Sequence, residues 1–167
     1  RAMKLKLDQA VLEELDAEVI NLDDAGITDM QVEKTKRNLS RLEAVLGAEQ
    51  TIDSLVKDIL YHYTAFRQDQ VSGKAMIVAF NREIAMKIYY RLMELRPDWT
   101  NKVKVVMTGS NKDPEEWHPI VGNESYRKEL AKEFKSENGE MKIAIVVDMW
   151  LTGFDVPSLS TMYVYKP

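Results

Sequence analysis

Three short runs with scarcely a polar residue, Met76–Phe80, Val103–Met107 and Ile143–Val147, leave few folds open to this chain. A strand with one face in water alternates polar and apolar side chains, so a run that is apolar nearly throughout needs cover on both faces. Helical spacing follows the first two runs: Ile84, Ala85, Ile88, Leu92 and Leu95, then Tyr126, Leu130 and Phe134. Steps of three and four residues gather each set on one side of a helix. A fourth strand is expected from about Thr161 to Tyr165. Strands alternating with amphipathic helices predict an α/β fold, a parallel sheet with helices on both faces. Right-handed crossovers then bring every strand-to-helix loop to one edge.

The boundaries are legible. Asn81 is a good N-cap with Glu83 in the first turn, and Pro97 forbids continuation past Arg96. A later helix starts near Asn123 and stops at Ser136-Glu137-Asn138-Gly139. Upstream, Ile52, Leu55, Val56, Ile59, Leu60, Tyr63 and Phe66 fall on one side of a helix. Another helix is expected from about Thr28, with Gln31 at capping-box spacing, through Leu39, Leu42 and Leu46 to a stop at Gly47. Residues 5 to 20 are expected to hold one more. The pattern changes at Ser72-Gly73, which divides the chain into a helical segment, 1–72, and a sheet domain, 73–167.

At 167 residues and 45% hydrophobic content the chain can fill a core, which argues against disorder. With no cysteine, disulfides and thiolate metal sites are excluded. His62 and His118 lack ligand spacing and are read as surface or packing residues, so no metal site is expected. No apolar stretch approaches the roughly 20 residues needed to cross a bilayer. The start, Arg1-Ala2-Met3, is neither a signal nor an initiator, and a strand precedes the last two residues. A piece of a longer protein is therefore expected.

The net charge of −4 opposes a wholly basic nucleic-acid binder, but charge is uneven. Residues 1–73 carry nine Lys/Arg against fourteen Asp/Glu. Residues 74–109 carry Lys74, Arg82, Lys87, Arg91, Arg96, Lys102 and Lys104 against Glu83, Glu94 and Asp98. That segment is the place to meet phosphate. Charges that merely solvate a helix face and a loop account for it equally well.

In a doubly wound sheet, ligands bind beyond the carboxyl ends of the strands, which singles out three loops. Asn81 and Arg82 sit at a helix N-terminus, where free N–H groups favour a phosphate, or serve only as a cap and an exposed arginine. Thr108-Gly109-Ser110 offers hydroxyls and a backbone that Gly109 lets turn sharply, though an ordinary turn has the same composition. The third loop runs from Asp148 to Pro157, where Asp155 can accept from ribose hydroxyls and Thr152 can meet a phosphate. Phe154 is read as core. Glu115 and Glu116, near Asp113, lie in a polar Pro-containing loop and are read as solvated. No Gly-x-x-x-x-Gly-Lys-Ser/Thr phosphate loop is present, so the chain cannot by itself cradle the phosphates of ATP.

Taken in order, Ala75–Arg82, Val105–Gly109 and Ile145–Pro157 resemble the second RecA-like lobe of superfamily 2 helicases, specifically the motor subunit of type I restriction enzymes. The first and last segments look like helicase motifs IV and V, and Tyr163–Pro167 resembles the strand after motif V. Residues 74–167 carry the resemblance well and 48–73 more loosely. It implies a RecA-like sheet of the P-loop NTPase type. It also implies a lobe that closes on ATP and Mg2+ held mainly by a first lobe of the same polypeptide. Gly153 and Asp155 would then face the nucleotide, and Asn81, Arg82, Thr108 and Thr152 the backbone of double-stranded DNA. Modification and specificity subunits are the implied partners, and a cytoplasmic, prokaryotic setting follows. The chain departs from the complete motor by ending before motif VI, so no catalytic set is complete and isolated residues 1–167 are expected to be inactive. The alternatives are the second lobe of another superfamily 2 DNA or RNA helicase, or a non-enzymatic α/β interaction module. The last of these requires that the strand-end loops share no site.

Overall fold

The computed structural model describes residues 29–69, 73–151 and 154–166. Two compact units are present, one ending at Thr51 and the other beginning at Ile52. In the first, helix α1, Asp29–Leu46, ends as expected before Gly47, whose N–H donates to the Glu43 carbonyl. Leu46 is buried and Leu39 exposed. The helix expected within residues 5–20 and the cap at Thr28 fall outside the described residues.

Helix α2 is Glu49–Phe66, and Ile52, Leu55, Val56, Ile59 and Tyr63 of the predicted stripe are buried, while Leu60 is half-buried. Phe66, at the last position, is exposed instead. The sheet consists of β1, Lys74–Ala79; β2, Val103–Val106; β3, Ile143–Val146; and β4, Leu159–Tyr165. Between the strands lie α3, Arg82–Leu95; the short α4, His118–Val121; and α5, Glu124–Lys135. Among the described residues no helix is long and apolar enough to cross a membrane.

All strands pair in parallel, in the order β2-β3-β1-β4. This is the expected α/β sheet, RecA-like in class. The order fixes which face each helix covers. The step from β1 to β2 runs one way along the sheet and that from β2 to β3 runs back. Right-handed crossovers therefore put α3 and α5 on opposite faces. The packing agrees. Leu130 and Phe134 of α5 share a core with Met76, Val78, Val106, Ala144 and Val146, one parity of each strand. The step from β3 to β4 runs the same way as that from β2 to β3, and its Val156, Met149, Trp150 and Phe154 join the same core. The other parity carries Ile77 and its register partner Tyr163, whose hydroxyl lies 2.8 Å from Nδ1 of His62 in α2. His62 is thus a packing residue that ties α2 to the edge strand.

Local chemistry sets the helix ends. The Asn81 side chain accepts from the Ile84 N–H at 2.8 Å and the Asn123 side chain from the Tyr126 N–H at 2.9 Å, each cap worth about 1 kcal/mol. Gly122 closes α4 at φ +62°, ψ −166°, a region open essentially to glycine alone. A Cβ there would stand 2.2 Å from Cδ1 of Tyr126. Gly122→Ala is therefore expected to lower stability by about 1–3 kcal/mol from backbone strain, with the clash adding to it. The urea midpoint reads this directly, and an unchanged midpoint would refute it.

Burial pushes the hydroxyls of Tyr63, Tyr163 and Tyr165 up to about 12. A raised folded-state value favours the protonated form. That stability is intact below the ordinary tyrosine value near 10 and is lost as pH rises through about 12. Tyrosinate absorbance should show these three ionising late, together with alkaline unfolding. Tyr63→Phe should make the loss of stability with pH shallower.

Candidate functional site

Adjacent strands β1 and β3 send their connections in opposite directions, and such a switch point opens a crevice at the carboxyl edge of a parallel sheet. A cavity of about 340 Å3 lies there, lined by Phe80, Asn81 and Arg82 after β1, Met107 and Thr108 after β2, and Val147, Asp148 and Met149 after β3. Asn81, Arg82 and Thr108, expected to act together, thus share one site. Thr152 and Gly153 lie outside the described residues. Asp155 is exposed and is not part of the cavity wall.

The β1 loop presents the start of a fourteen-residue helix. Because Asn81 caps α3 through its side-chain oxygen, its carboxamide oxygen is held by the helix. Arg82 is not simply an exposed arginine. Its guanidinium forms an ion pair with Asp113 and stands 6.0 Å from the Trp117 ring centroid.

Asp113 was not among the residues expected to matter, yet it joins two of the three loops. Its side chain is only 6% exposed, and Oδ2 accepts both from Arg82 and from the Ser110 N–H. Burial works against the charged carboxylate. The hydrogen bonds from Arg82 and Ser110 outweigh it and hold the carboxyl below its ordinary value. The Asp113-Pro114 pair marks a turn in the sequence, but a partner thirty-one residues earlier leaves no local trace. Glu115 and Glu116 are exposed, as expected. Gly109 needs no glycine-specific geometry: a Cβ there would meet the Gly122 carbonyl at an ordinary 3.7 Å.

In the β3 loop Asp148 and Trp150 take left-handed backbone angles, φ +50° and +61°. Aspartate tolerates this region, whereas a bulky tryptophan is strained there. The Trp150 ring is held between Phe134, at 5.6 Å, and Phe154, at 4.2 Å. Phe154 accordingly packs onto the core, with the Lys135 ammonium 4.5 Å from its ring centroid. Asp148, also in the cavity wall, accepts from the Lys166 ammonium at 3.2 Å.

Lys74 is fully buried and donates to the Ser136 carbonyl at the end of α5. Lys87 pairs with Glu83, Arg91 with Asp53 and Glu94, and Arg96 with Asp98. Lys102 lies 4.8 Å from the Trp99 ring centroid. Most of these cations are thus engaged within the domain.

The family model for type I restriction enzyme subunit R domain 3 matches residues 52–167. The chain belongs to this family. It is 42% identical over 136 residues to a putative type I restriction enzyme MjaIXP endonuclease subunit of Methanocaldococcus jannaschii, covering 81% of the chain and 13% of that protein. It is 35% identical over 149 residues to the type I restriction enzyme HindI endonuclease subunit of Haemophilus influenzae, covering 86% of the chain and 14% of that protein. The chain thus spans about an eighth to a seventh of these relatives. It is a segment of R-subunit type, related to endonuclease subunits.

The depressed carboxyl of Asp113 also sets an acid limit. Stability from this group is present above the ordinary aspartate value of 3.8 and is lost as pH falls through the lower folded-state value. Urea midpoints measured between about pH 5 and pH 2 should fall less steeply in Asp113→Asn than in the unsubstituted chain, because the variant has no carboxylate to protonate.

Proposed function

We propose that this chain is the second RecA-like lobe of the ATP-driven DNA translocase motor in a type I restriction endonuclease subunit. It supplies one wall of the ATP site and part of the track for the DNA backbone. The observation that carries this reading is the shared cavity. In a chain of R-subunit family, Asn81, Arg82 and Thr108 converge where three parallel strands end and a long helix begins. Free N–H groups and the helix dipole at such a terminus suit a phosphate, as does the Thr108 hydroxyl.

In this reading Asn81, Arg82, Thr108 and Thr152 face the DNA backbone, and Gly153 and Asp155 face the nucleotide. Asp155 is exposed and has the acceptor chemistry for ribose hydroxyls. ATP, when bound, supplies the free energy that drives movement. This chain's residues would close on it and orient it, while the first lobe of the same polypeptide holds the phosphates and the metal. Residues 1–167 alone would then be catalytically inactive. Modification and specificity subunits complete the assembly, which works in a prokaryotic cytoplasm.

The test is DNA-stimulated ATP hydrolysis by the full-length subunit. Asp155→Ala should raise the KM for ATP about ten-fold or more, since a charged hydrogen bond contributes about 1.5–3 kcal/mol. Normal KM and turnover in that variant would remove Asp155 from the nucleotide site. Absence of any DNA-stimulated hydrolysis in the unsubstituted subunit would overturn the motor reading.

A further inference from the structure

The pair between Arg82 and Asp113 is the strongest feature of the cavity that the reading above leaves without a purpose. A side chain expected to contact DNA phosphate already has a carboxylate on it, and that carboxylate is almost wholly buried. The Nε of Arg82 is itself buried and has no hydrogen-bond partner. An unmet donor of this kind is costly, and a phosphate offers several acceptors in the geometry that a guanidinium fork matches. Asp113 is also anchored independently of Arg82. The Ser110 N–H donates to it at 2.8 Å, so the carboxylate stays in place when the arginine turns away. The carboxylate in the cavity wall itself, Asp148, likewise carries a cation, Lys166. Both charged residues in the cavity wall are thus matched by an opposite charge.

We propose that Asp113 is a positioning residue that governs Arg82: without DNA it holds the guanidinium back from the phosphate track, and a DNA phosphate takes its place as the duplex seats. This rests on the DNA-backbone role proposed above for the cavity. Asp113 keeps its charge beside the track throughout, so Arg82 adds almost nothing to the net charge that draws DNA in. The arginine engages only a phosphate close enough to compete with the carboxylate. Attachment to the backbone is thereby weakened, which suits a surface that must bind and release along DNA.

The salt dependence of DNA binding separates this role from a merely structural one. Each phosphate neutralised on duplex DNA contributes a slope of about −0.9 in a plot of log affinity against log salt. The full-length subunit and its variants would be titrated against a short fluorescent duplex of arbitrary sequence between about 50 and 200 mM salt, the range over which such slopes are read. Asp113→Asn retains an acceptor for the Ser110 N–H but loses the charge. It should bind several-fold more tightly at low salt, with a slope steeper by about one phosphate. Adding Arg82→Gln should return the slope to that of the unsubstituted protein. Asp113→Ala, which also loses the Ser110 anchor, should show the steeper slope with weaker binding than Asp113→Asn. Melting curves on each variant establish that it is folded. A steep slope in the unsubstituted subunit that Asp113→Asn leaves unchanged or makes shallower overturns the role of Asp113 alone. A flat slope in the unsubstituted subunit overturns the DNA-backbone reading and this proposal with it.

Discussion

The parallel pairing of β1 with β3 on one side and β4 on the other is what the rest of the second unit depends on. Every residue of β1 is buried, so its peptide groups have no water to bond and must meet neighbouring strands. Parallel neighbours cannot be joined by tight hairpins. The chain has to leave the sheet and return by a crossover, and those crossovers supply the cover that an apolar strand requires. One demand, for satisfied backbone bonds in a dry layer, thus produces both the order of elements and their division between two faces.

The same topology makes the site. Where β1 and β3 send the chain to opposite sides, the loops part and leave a cavity that no helix fills. The β2 loop is then drawn in from the far edge of the sheet by Asp113, which binds Arg82 of one loop and the Ser110 backbone of the other. Taking the Asp113 charge out of water is costly, and a pair of this kind contributes little net stability compared with what its rupture would remove. Its value lies in placement. Gly122 assists from behind, since its carbonyl borders Gly109 while its left-handed turn leads into the Asn123 cap of α5.

Helix ends and strand interiors follow local sequence signals where the physics is local. Asn81 and Asn123 cap helices because a short acceptor can reach an N–H three residues on. Leu95 ends α3 because Pro97 cannot continue it. The strand interiors were evident from burial on both faces, whereas β4 begins at Leu159, two residues before the alternation suggested. Edge-strand ends are set by pairing with a neighbour, and no periodicity records that. Phe66 fits the α2 stripe by spacing but is exposed at the helix terminus, because spacing does not tell where a covering surface stops.

What the sequence determined by itself is the class of fold, the strand and helix interiors, the caps, and which three loops share an edge. These follow from periodicities and turn chemistry spanning a few residues. The tertiary structure alone decided the strand order, the face each helix covers, and the fate of the charges. Arg82, counted in the sequence among the cations of a basic segment, proves to be held by a carboxylate from the next loop. An ion pair forms through proximity in space, and residues 82 and 113 lie in the loops after β1 and β2, two strands that β3 separates in the sheet.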